Sequence, residues 1–166
     1  MTAPAGDGTD LLALYESTID DVYRYASRLT GGDRTRTEDL VQETYLGVLR
    51  RLQAGEQLEL TAGYLIVACR SRFLDHLKAD RRRAAREDSA HNDTSSATHE
   101  PESARATQAL AQLPDDQRVA LVLRYVDDLA VTDVALHLDR SVRATESLLA
   151  RGRAALRTLL QEGDES

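Results

Sequence analysis

Apolar residues recur at steps of three and four along most of the chain, and this spacing constrains the fold more than any other feature of the sequence. In the first such stretch the apolar positions are Leu11, Leu12, Tyr15, Ile19, Val22, Tyr23, Ala26 and Leu29. Residues at these steps share one face of an α-helix, whereas a β-strand would need strict alternation. The glycine pair Gly31–Gly32 then predicts the end of this helix.

The helical period resumes after the glycines. Thr35, with Glu38 three residues later, has the pattern of a capping box and predicts the start of a second helix. The apolar face of that helix would consist of Leu40, Val41, Thr44, Tyr45, Val48, Leu49 and Leu52. Thr61 is a candidate N-cap for a third, long helix, which follows a loop that begins near Gln53.

Residues 88–105 interrupt the helical pattern. They are rich in Ser, Thr, Asn and acidic residues and poor in apolar ones, which predicts an acidic flexible linker. Four shorter helices are predicted after it, at about Ala104–Gln112, Asp115–Val126, Val131–Leu138 and Val142–Leu160. With no strand-like alternation, we predict an all-α fold of two small helical domains, residues 11–87 and 106–161, joined by this linker. Residues 1–10 are predicted as a disordered tail and residues 162–166 as a second tail.

The charge distribution favours local binding of nucleic acid, although the formal net charge is −7. Basic residues are concentrated in two stretches, residues 70–86 and 140–157. The N-terminal part of the chain, up to Asp21, and the predicted linker are instead acidic. Two basic islands in an acidic chain can bind phosphate locally, while the molecule as a whole resists indiscriminate DNA binding.

Sites for catalysis or metal binding are not evident. The single Cys69 excludes an internal disulfide and a multi-cysteine metal cluster. Asp75–His76 lacks further ligands at metal-binding spacing, and there is no glycine-rich phosphate loop or nucleophile–base arrangement. We therefore expect no enzyme activity, no metal and no cofactor. The absence of a leader or a long apolar run predicts a cytoplasmic protein.

Val131–Arg153 has the spacing of a helix-turn-helix, which gives the second domain its predicted motif. A short apolar helix is followed by a tight turn at Asp139, and Ser141 would cap a second helix that buries Thr145, Leu149, Gly152 and Leu156. In such motifs the N-terminal residues of the second helix lie near base edges in the major groove. An ordinary helical hairpin with solvated arginines is the alternative that the pattern leaves open.

Four segments carry a resemblance to a known family. They are Glu38–Leu46, Tyr64–Lys78, Leu113–Arg118 with Leu123–Val126, and Ser141–Arg153. Together, and in this order, they resemble the extracytoplasmic-function group of bacterial RNA polymerase sigma factors. The resemblance implies a transcription initiation factor whose first domain binds core polymerase and the minus-ten promoter element, and whose second domain binds the minus-thirty-five element.

The resemblance also implies roles for individual residues. The polymerase-binding residues would be Asp39, Gln42, Glu43 and Leu46. The minus-ten element would be held by Tyr64, Arg70, Arg72, His76, Lys78, Arg81 and Arg82. The minus-thirty-five element would be held by Ser141, Arg143, Glu146, Ser147, Arg151 and Arg153. The loop Gln53–Thr61 would capture an unpaired promoter base. The implied partners are core polymerase, through its β′ clamp and β flap, and promoter DNA, and the resemblance allows an anti-sigma factor.

Three positions depart from the family pattern. Leu49 and Tyr64 stand where tryptophan is common, so base-stacking partners would be tyrosines or would be absent. Asp139 replaces a usual turn glycine, but Asp tolerates the left-handed conformation better than most residues. Glu146 replaces a frequent lysine and leaves two roles open, a base contact or repulsion of phosphates. The alternative function is a helix-turn-helix regulator that acts without core polymerase.

Overall fold

The structure is a computed structural model that describes residues 8–86 and 103–163. Within these ranges it contains seven α-helices, one π-helical segment and no strand, which confirms the all-α prediction. The elements are α1 (Gly8–Thr30), α2 (Arg34–Gln53), α3 (Ala62–Ala84), α4 (Ser103–Ala111), α5 (Asp115–Leu121), the π-helical segment (Val122–Val126), α6 (Val131–Leu138) and α7 (Val142–Glu162). Residues 1–7 of the predicted tail 1–10, residues 164–166 of the predicted tail 162–166, and residues 87–102, which include residues 88–102 of the predicted linker, lie outside the described residues. The rest of both predicted tails is described: α1 already begins at Gly8, and α7 extends to Glu162.

The ends of the helices test the predicted caps. Thr61 accepts a hydrogen bond from the backbone N–H of Tyr64, as predicted for an N-cap. The predicted capping box at Thr35 is wrong, because α2 begins at Arg34 and Thr35 already lies in its first turn. Its N-cap is Asp33, whose carboxylate accepts from the Arg36 N–H at 3.0 Å. Asp33 directly follows the two glycines and is therefore the first residue able to cap the new helix.

Helices α1, α2 and α3 pack around one apolar core. Their buried side chains include Val22, Leu29, Leu40, Val48, Leu65, Cys69 and Phe73. Each large aliphatic side chain removed from water contributes about 1.5–3 kcal/mol. Buried threonines pair across this core, since the Thr30 and Thr37 hydroxyls lie 2.7 Å apart. The three helices thus form a small domain without aromatic-rich packing.

The second group of helices contains the predicted helix-turn-helix. Asp139 ends α6 in the left-handed conformation, with φ 53° and ψ 49°, and the Ser141 hydroxyl caps α7 through the Ala144 N–H. Thr145, Leu149 and Gly152 are buried on the inner face of α7, as the periodicity predicts. The predicted helix over 115–126 continues without a break but changes from α to π geometry at Val122.

The two groups of helices also pack against each other, which the sequence did not indicate. Helix α1 contacts both α4 and α5, and buried side chains from both groups form one continuous cluster. Helix α4 begins at Ser103, inside the segment 88–105 predicted as linker, so the exact linker boundaries stay a prediction. Across the described residues, no helix is both long and apolar enough to cross a membrane.

Candidate nucleic-acid interface

Helix α2 presents a polar face away from the core. Asp39 and Gln42 are exposed there, and Leu46 retains 40% of its accessible surface. The opposite face of the helix is buried through Leu40, Val41, Thr44 and Val48. An amphipathic helix whose polar face carries an exposed leucine can bind a protein partner without loss of its core packing.

Glu43 is the fourth predicted residue on this face, and it is half-buried. Its Oε2 lies 2.9 Å from Nε2 of His76, which belongs to the predicted minus-ten group on α3. The two side chains are both about half exposed, so the contact is a weak surface pair. The predicted polymerase surface and the predicted minus-ten surface therefore meet at this pair.

The seven predicted minus-ten residues have different environments. Arg82 and His76 are exposed to solvent, and Tyr64 and Lys78 are partly exposed. The hydroxyl of Tyr64 accepts a hydrogen bond from Arg51, which is itself paired with Glu56 at 2.6 Å. Arg51 was not predicted as a site residue. It orients the aromatic ring next to the loop that follows α2.

Arg72 does not point outward with the others. Its guanidinium lies against α2 at Gly47, where a β-carbon would be only 1.5 Å from Nη2 of Arg72. The sequence carried a signal for this contact, because glycine inside a helix is unfavourable and often marks a close approach. Arg72 packs α3 against α2 in this structure, so we do not retain it among the proposed DNA contacts.

Two further arginines of the group are bound by the second domain. Nη1 of Arg70 lies 3.4 Å from Oδ2 of Asp127, and only 14% of the Arg70 side chain is exposed. Arg81 donates to the Leu138 carbonyl at 3.1 Å and also pairs with Asp116. Both guanidiniums are therefore already paired with carboxylates of the second domain, although Arg81 remains about one-third exposed.

A basic cleft opens where α3 meets the turn before α7. It has a volume of about 390 Å³ and is lined by Lys78, Arg81, Arg82, Asp139 and Arg140. Arg140 was missed by the sequence analysis, and it pairs with Asp116, the same carboxylate that binds Arg81. Both basic islands of the sequence contribute to the cleft, so it is an electropositive border between the two domains.

The predicted minus-thirty-five residues all lie on the exposed side of α7. The exposed residues are Ser141, Arg143, Glu146, Ser147, Arg151 and Arg153. Arg153 donates to the hydroxyl of Tyr125 at 2.9 Å, and this bond fixes the end of the surface nearest the π-helical segment. No described residue of the first domain covers this face.

Burial explains the pKa shifts near these surfaces. Burial raises the pKa of Tyr25, and the neighbouring Asp127 carboxylate raises it further, so the phenol remains a hydrogen-bond donor. Burial also raises the pKa of the Cys69 thiol to about 12, which suits a packing role rather than a nucleophile. The pKa of His137 is lowered by burial first and then by the charges of Arg70 and Lys78.

Comparison with known proteins gives a family match for each of the two groups of helices. Residues 14–83 match the family described as Sigma-70 region 2, and residues 103–156 match Sigma-70, region 4. The chain is 26% identical over 156 residues to the ECF RNA polymerase sigma factor SigM of Bacillus subtilis (strain 168), covering 90% of this chain and 94% of SigM. It is 28% identical over 169 residues to the ECF RNA polymerase sigma factor BldN of Streptomyces coelicolor, covering 96% of this chain and 64% of BldN.

Solved structures resemble the fold. Among them is the sigma factor RpoE in complex with the anti-sigma factor NepR from Bartonella quintana, which aligns with a TM-score of 0.54 at 20% identity. The alignment covers 92% of this chain and 97% of RpoE. At this identity the likeness concerns the fold alone.

Proposed function

Because this chain belongs to the extracytoplasmic-function group of RNA polymerase sigma factors and acts in transcription initiation, we propose that it carries core polymerase to specific promoters and helps to open them. The observation that carries the proposal is the order of surfaces along one chain. An exposed polar face on α2 is followed by a basic surface on α3 and a second basic surface on α7. A helix-turn-helix regulator acting alone is not favoured, because it has no need of a region 2 domain.

The proposed polymerase surface consists of Asp39, Gln42, Glu43 and Leu46, facing the β′ clamp. Acidic and amide groups on α2 would pair with basic groups of the clamp, and Leu46 would supply an apolar contact. The second domain would meet the β flap. Domain boundaries at 11–87 and 106–161 are part of this proposal.

The proposed minus-ten surface consists of Tyr64, Arg70, His76, Lys78, Arg81 and Arg82, together with the loop Gln53–Thr61. Promoter opening needs a site for unpaired bases, and an aromatic ring beside a basic groove provides stacking and phosphate contacts. Arg70 and Arg81 join this surface only when the second domain releases them.

The proposed minus-thirty-five surface is the exposed face of α7. The cap at Ser141 places the first turns of α7 where a recognition helix contacts base edges, and Arg151 and Arg153 would hold phosphates. We further propose that the protein works in the cytoplasm without a cofactor or catalytic chemistry of its own. An anti-sigma factor is a proposed regulator, by analogy with the complex known for RpoE.

Transcription with purified core polymerase tests the proposal. Start sites mapped after induced expression of the protein provide the promoter, and run-off transcription then compares core polymerase with and without the protein. We expect promoter-specific transcripts only from the combination. Arg143→Ala should reduce them, whereas Arg157→Ala, roughly 20 Å further along α7, should not. Specific promoter binding by the protein alone, undiminished without core polymerase, would favour the regulator instead.

A further inference from the structure

We infer that Tyr125, in the π-helical segment before the helix-turn-helix, is a further DNA-binding residue of the minus-thirty-five surface. Its hydroxyl and the guanidinium of Arg153 form one site for a single backbone phosphate. The inference rests on the proposed function, because it needs α7 to lie in the major groove of the minus-thirty-five element. It adds to that surface a residue from outside the motif and gives Arg153 a fixed partner.

Arg153 is placed to meet a DNA strand beside the groove rather than a base edge. It follows Glu146 by about two helical turns, so both exposed side chains lie on the same face of α7. At about 1.5 Å per residue, it lies roughly 15 Å along the helix from Arg143. The major groove is about 12 Å wide, so a residue this far from the inserted end of the helix faces the flanking phosphates.

The π-helical geometry is an unusual feature of the segment that carries Tyr125. The Asp127 N–H donates to the Val122 carbonyl at 3.0 Å, and this bond spans five residues instead of the four of an α-helix. An extra residue in a turn changes the direction of the side chains, and such turns often occur at functional sites. Tyr125 lies in this widened turn with 55% of its surface exposed, whereas the nearby Leu123 is fully buried.

A glycine of α7 brings this segment close enough for a direct bond. A β-carbon added at Gly152 would lie 3.3 Å from the side chain of Leu121, so α5 and α7 are in close contact at this level. Arg153 is the next residue of α7, and Tyr125 follows Leu121 by about one turn. Nη1 of Arg153 donates to the Tyr125 hydroxyl at 2.9 Å. The bond therefore joins the recognition helix to the π-helical segment at an exposed edge.

The ring of Tyr125 is also held by Arg124. Cζ of Arg124 lies 5.5 Å from the ring centroid, which is within the range of a cation–π contact. Arg124 is fixed in turn, because Nη1 donates to the Leu129 carbonyl at 3.3 Å and lies 3.7 Å from the Asp128 carboxylate. Two arginines thus restrict an exposed ring, so little side-chain freedom is lost when the hydroxyl binds a ligand.

The Tyr125 hydroxyl retains a proton that it can donate. It accepts from Arg153, and no residue in the described part of the chain accepts a hydrogen bond from it. A hydroxyl that accepts from a cation becomes a stronger donor through its own proton. The guanidinium of Arg153 has five N–H donors, so it also has some left over. The two non-bridging oxygens of a DNA phosphate can accept from the hydroxyl and from the guanidinium together.

The test is a double-mutant cycle on the holoenzyme, bound to duplex DNA that carries the minus-thirty-five element of a mapped promoter. Tyr125→Phe removes the hydroxyl and keeps the ring. Arg153→Gln removes the charge and keeps most of the side-chain length. Arg151→Gln provides the matched background, because Arg151 is another exposed arginine of α7, and its Nε donates within the helix to the Ser147 carbonyl at 3.4 Å.

We expect Tyr125→Phe to weaken DNA binding about tenfold, since a hydrogen bond to a charged phosphate is lost. The loss should be equal on matched and scrambled minus-thirty-five DNA, because a phosphate contact carries no sequence information. In the Arg153→Gln background the same change should cost less than about twofold, because the two side chains share one phosphate. In the Arg151→Gln background it should keep its full effect. Arg153→Gln should also make the salt dependence of binding less steep by roughly one phosphate contact.

Three results would overturn the inference. They are unchanged affinity in Tyr125→Phe, an equal effect of Tyr125→Phe in the two arginine backgrounds, and an unchanged salt dependence in Arg153→Gln. Urea unfolding of the free protein should be the same for Tyr125→Phe and the wild type, because the lost hydroxyl is on an exposed side chain. Lower stability together with an equal effect in both backgrounds would show that the bond only supports the fold. Failure of the proposed function looks different, since wild-type holoenzyme would then bind matched and scrambled DNA equally.

Discussion

Two neighbouring glycines offer a sharp test of how the domains are joined. Gly31 and Gly32 both adopt left-handed backbone conformations, with φ of 72° and 77°. A β-carbon at Gly31 would lie 2.8 Å from both Cζ and Nη1 of Arg118, whereas a β-carbon at Gly32 would meet nothing within 4 Å. Gly31→Ala and Gly32→Ala therefore share the free-energy cost of placing alanine in a left-handed conformation. They differ in their effect on Arg118.

The expected magnitudes follow from these contacts. The left-handed conformation costs an alanine about 1–2 kcal/mol at either position. At position 31 the guanidinium of Arg118 must also move, which breaks its bond to the Leu29 carbonyl. A hydrogen bond from a charged donor is worth about 1.5–3 kcal/mol, so Gly31→Ala should lose about 2 kcal/mol more than Gly32→Ala. This extra loss cannot exceed the free energy of domain contact, because the domains can separate instead.

Both variants are compared by urea unfolding, followed by circular dichroism and by the distance between labels in the two domains. We expect Gly32→Ala to lower stability while the domains stay in contact up to the main transition. Gly31→Ala should separate the domains at lower urea, before helix is lost. Equal label distances and equal stabilities in the two variants would refute a role for the Arg118–Leu29 hydrogen bond in joining the domains.

The other predictions concern the partner surfaces and pH. Asp39→Arg combined with Glu43→Arg should abolish pull-down of core polymerase while helicity is retained, since both residues lie outside the core of α2; wild-type pull-down would contradict the assignment. Lowering the pH from 8 to 5.5 should shift the domains toward separation, because burial, and then the charges of Arg70 and Lys78 in the first domain, lower the pKa of His137 while the domains are in contact. The charged groups that face it are Arg70, Lys78, Asp133 and Asp127. With the domains in contact the chain binds fewer protons than with the domains apart, so the contact is fully stable above the ordinary histidine pKa and loses stability as the pH falls below that value. His137→Gln should abolish the change in the distance between labels in the two domains. Glu146→Lys in holoenzyme should raise DNA affinity and steepen its salt dependence by roughly one phosphate contact, and reduced discrimination between matched and scrambled minus-thirty-five DNA would identify Glu146 as a base contact.

Local features of the fold were predictable from the sequence. The cap at Ser141 and the left-handed turn at Asp139 depend on residues within a few positions of one another, and both are observed. The apolar stripe predicted on α1 is confirmed in part: Val22, Ala26 and Leu29 are buried, whereas Leu12, Tyr15 and Tyr23 are exposed and the unpredicted Tyr25 is buried. The cap of α2 was misassigned because Asp33 and Thr35 are both good caps, and the choice depends on where the glycine turn ends.

The contact between the domains could not be predicted in the same way. Tyr25 and Asp127 are far apart in the sequence, and neither lies in a pattern that names its partner. Arg70 belongs to a basic helix, which looks the same in sequence whether its cations face water, DNA or a carboxylate. In the sequence, Arg118 stands out only as a member of the segment Leu113–Arg118, which resembles the start of the second domain in the family. Long-range polar pairs of this kind produce no periodic pattern in the sequence from which they could be predicted.

The approach of Arg72 to α2 has an evolutionary consequence. Positions 47 and 72 share one volume, since even a β-carbon at Gly47 would overlap the Arg72 guanidinium. Gly47 cannot gain a side chain unless Arg72 moves or is replaced by a shorter residue, although the two lie on different helices. We expect relatives that carry a side chain at the position of Gly47 to carry a shorter residue at that of Arg72. An alignment that shows this covariation would trace the packing of α2 on α3 across the family.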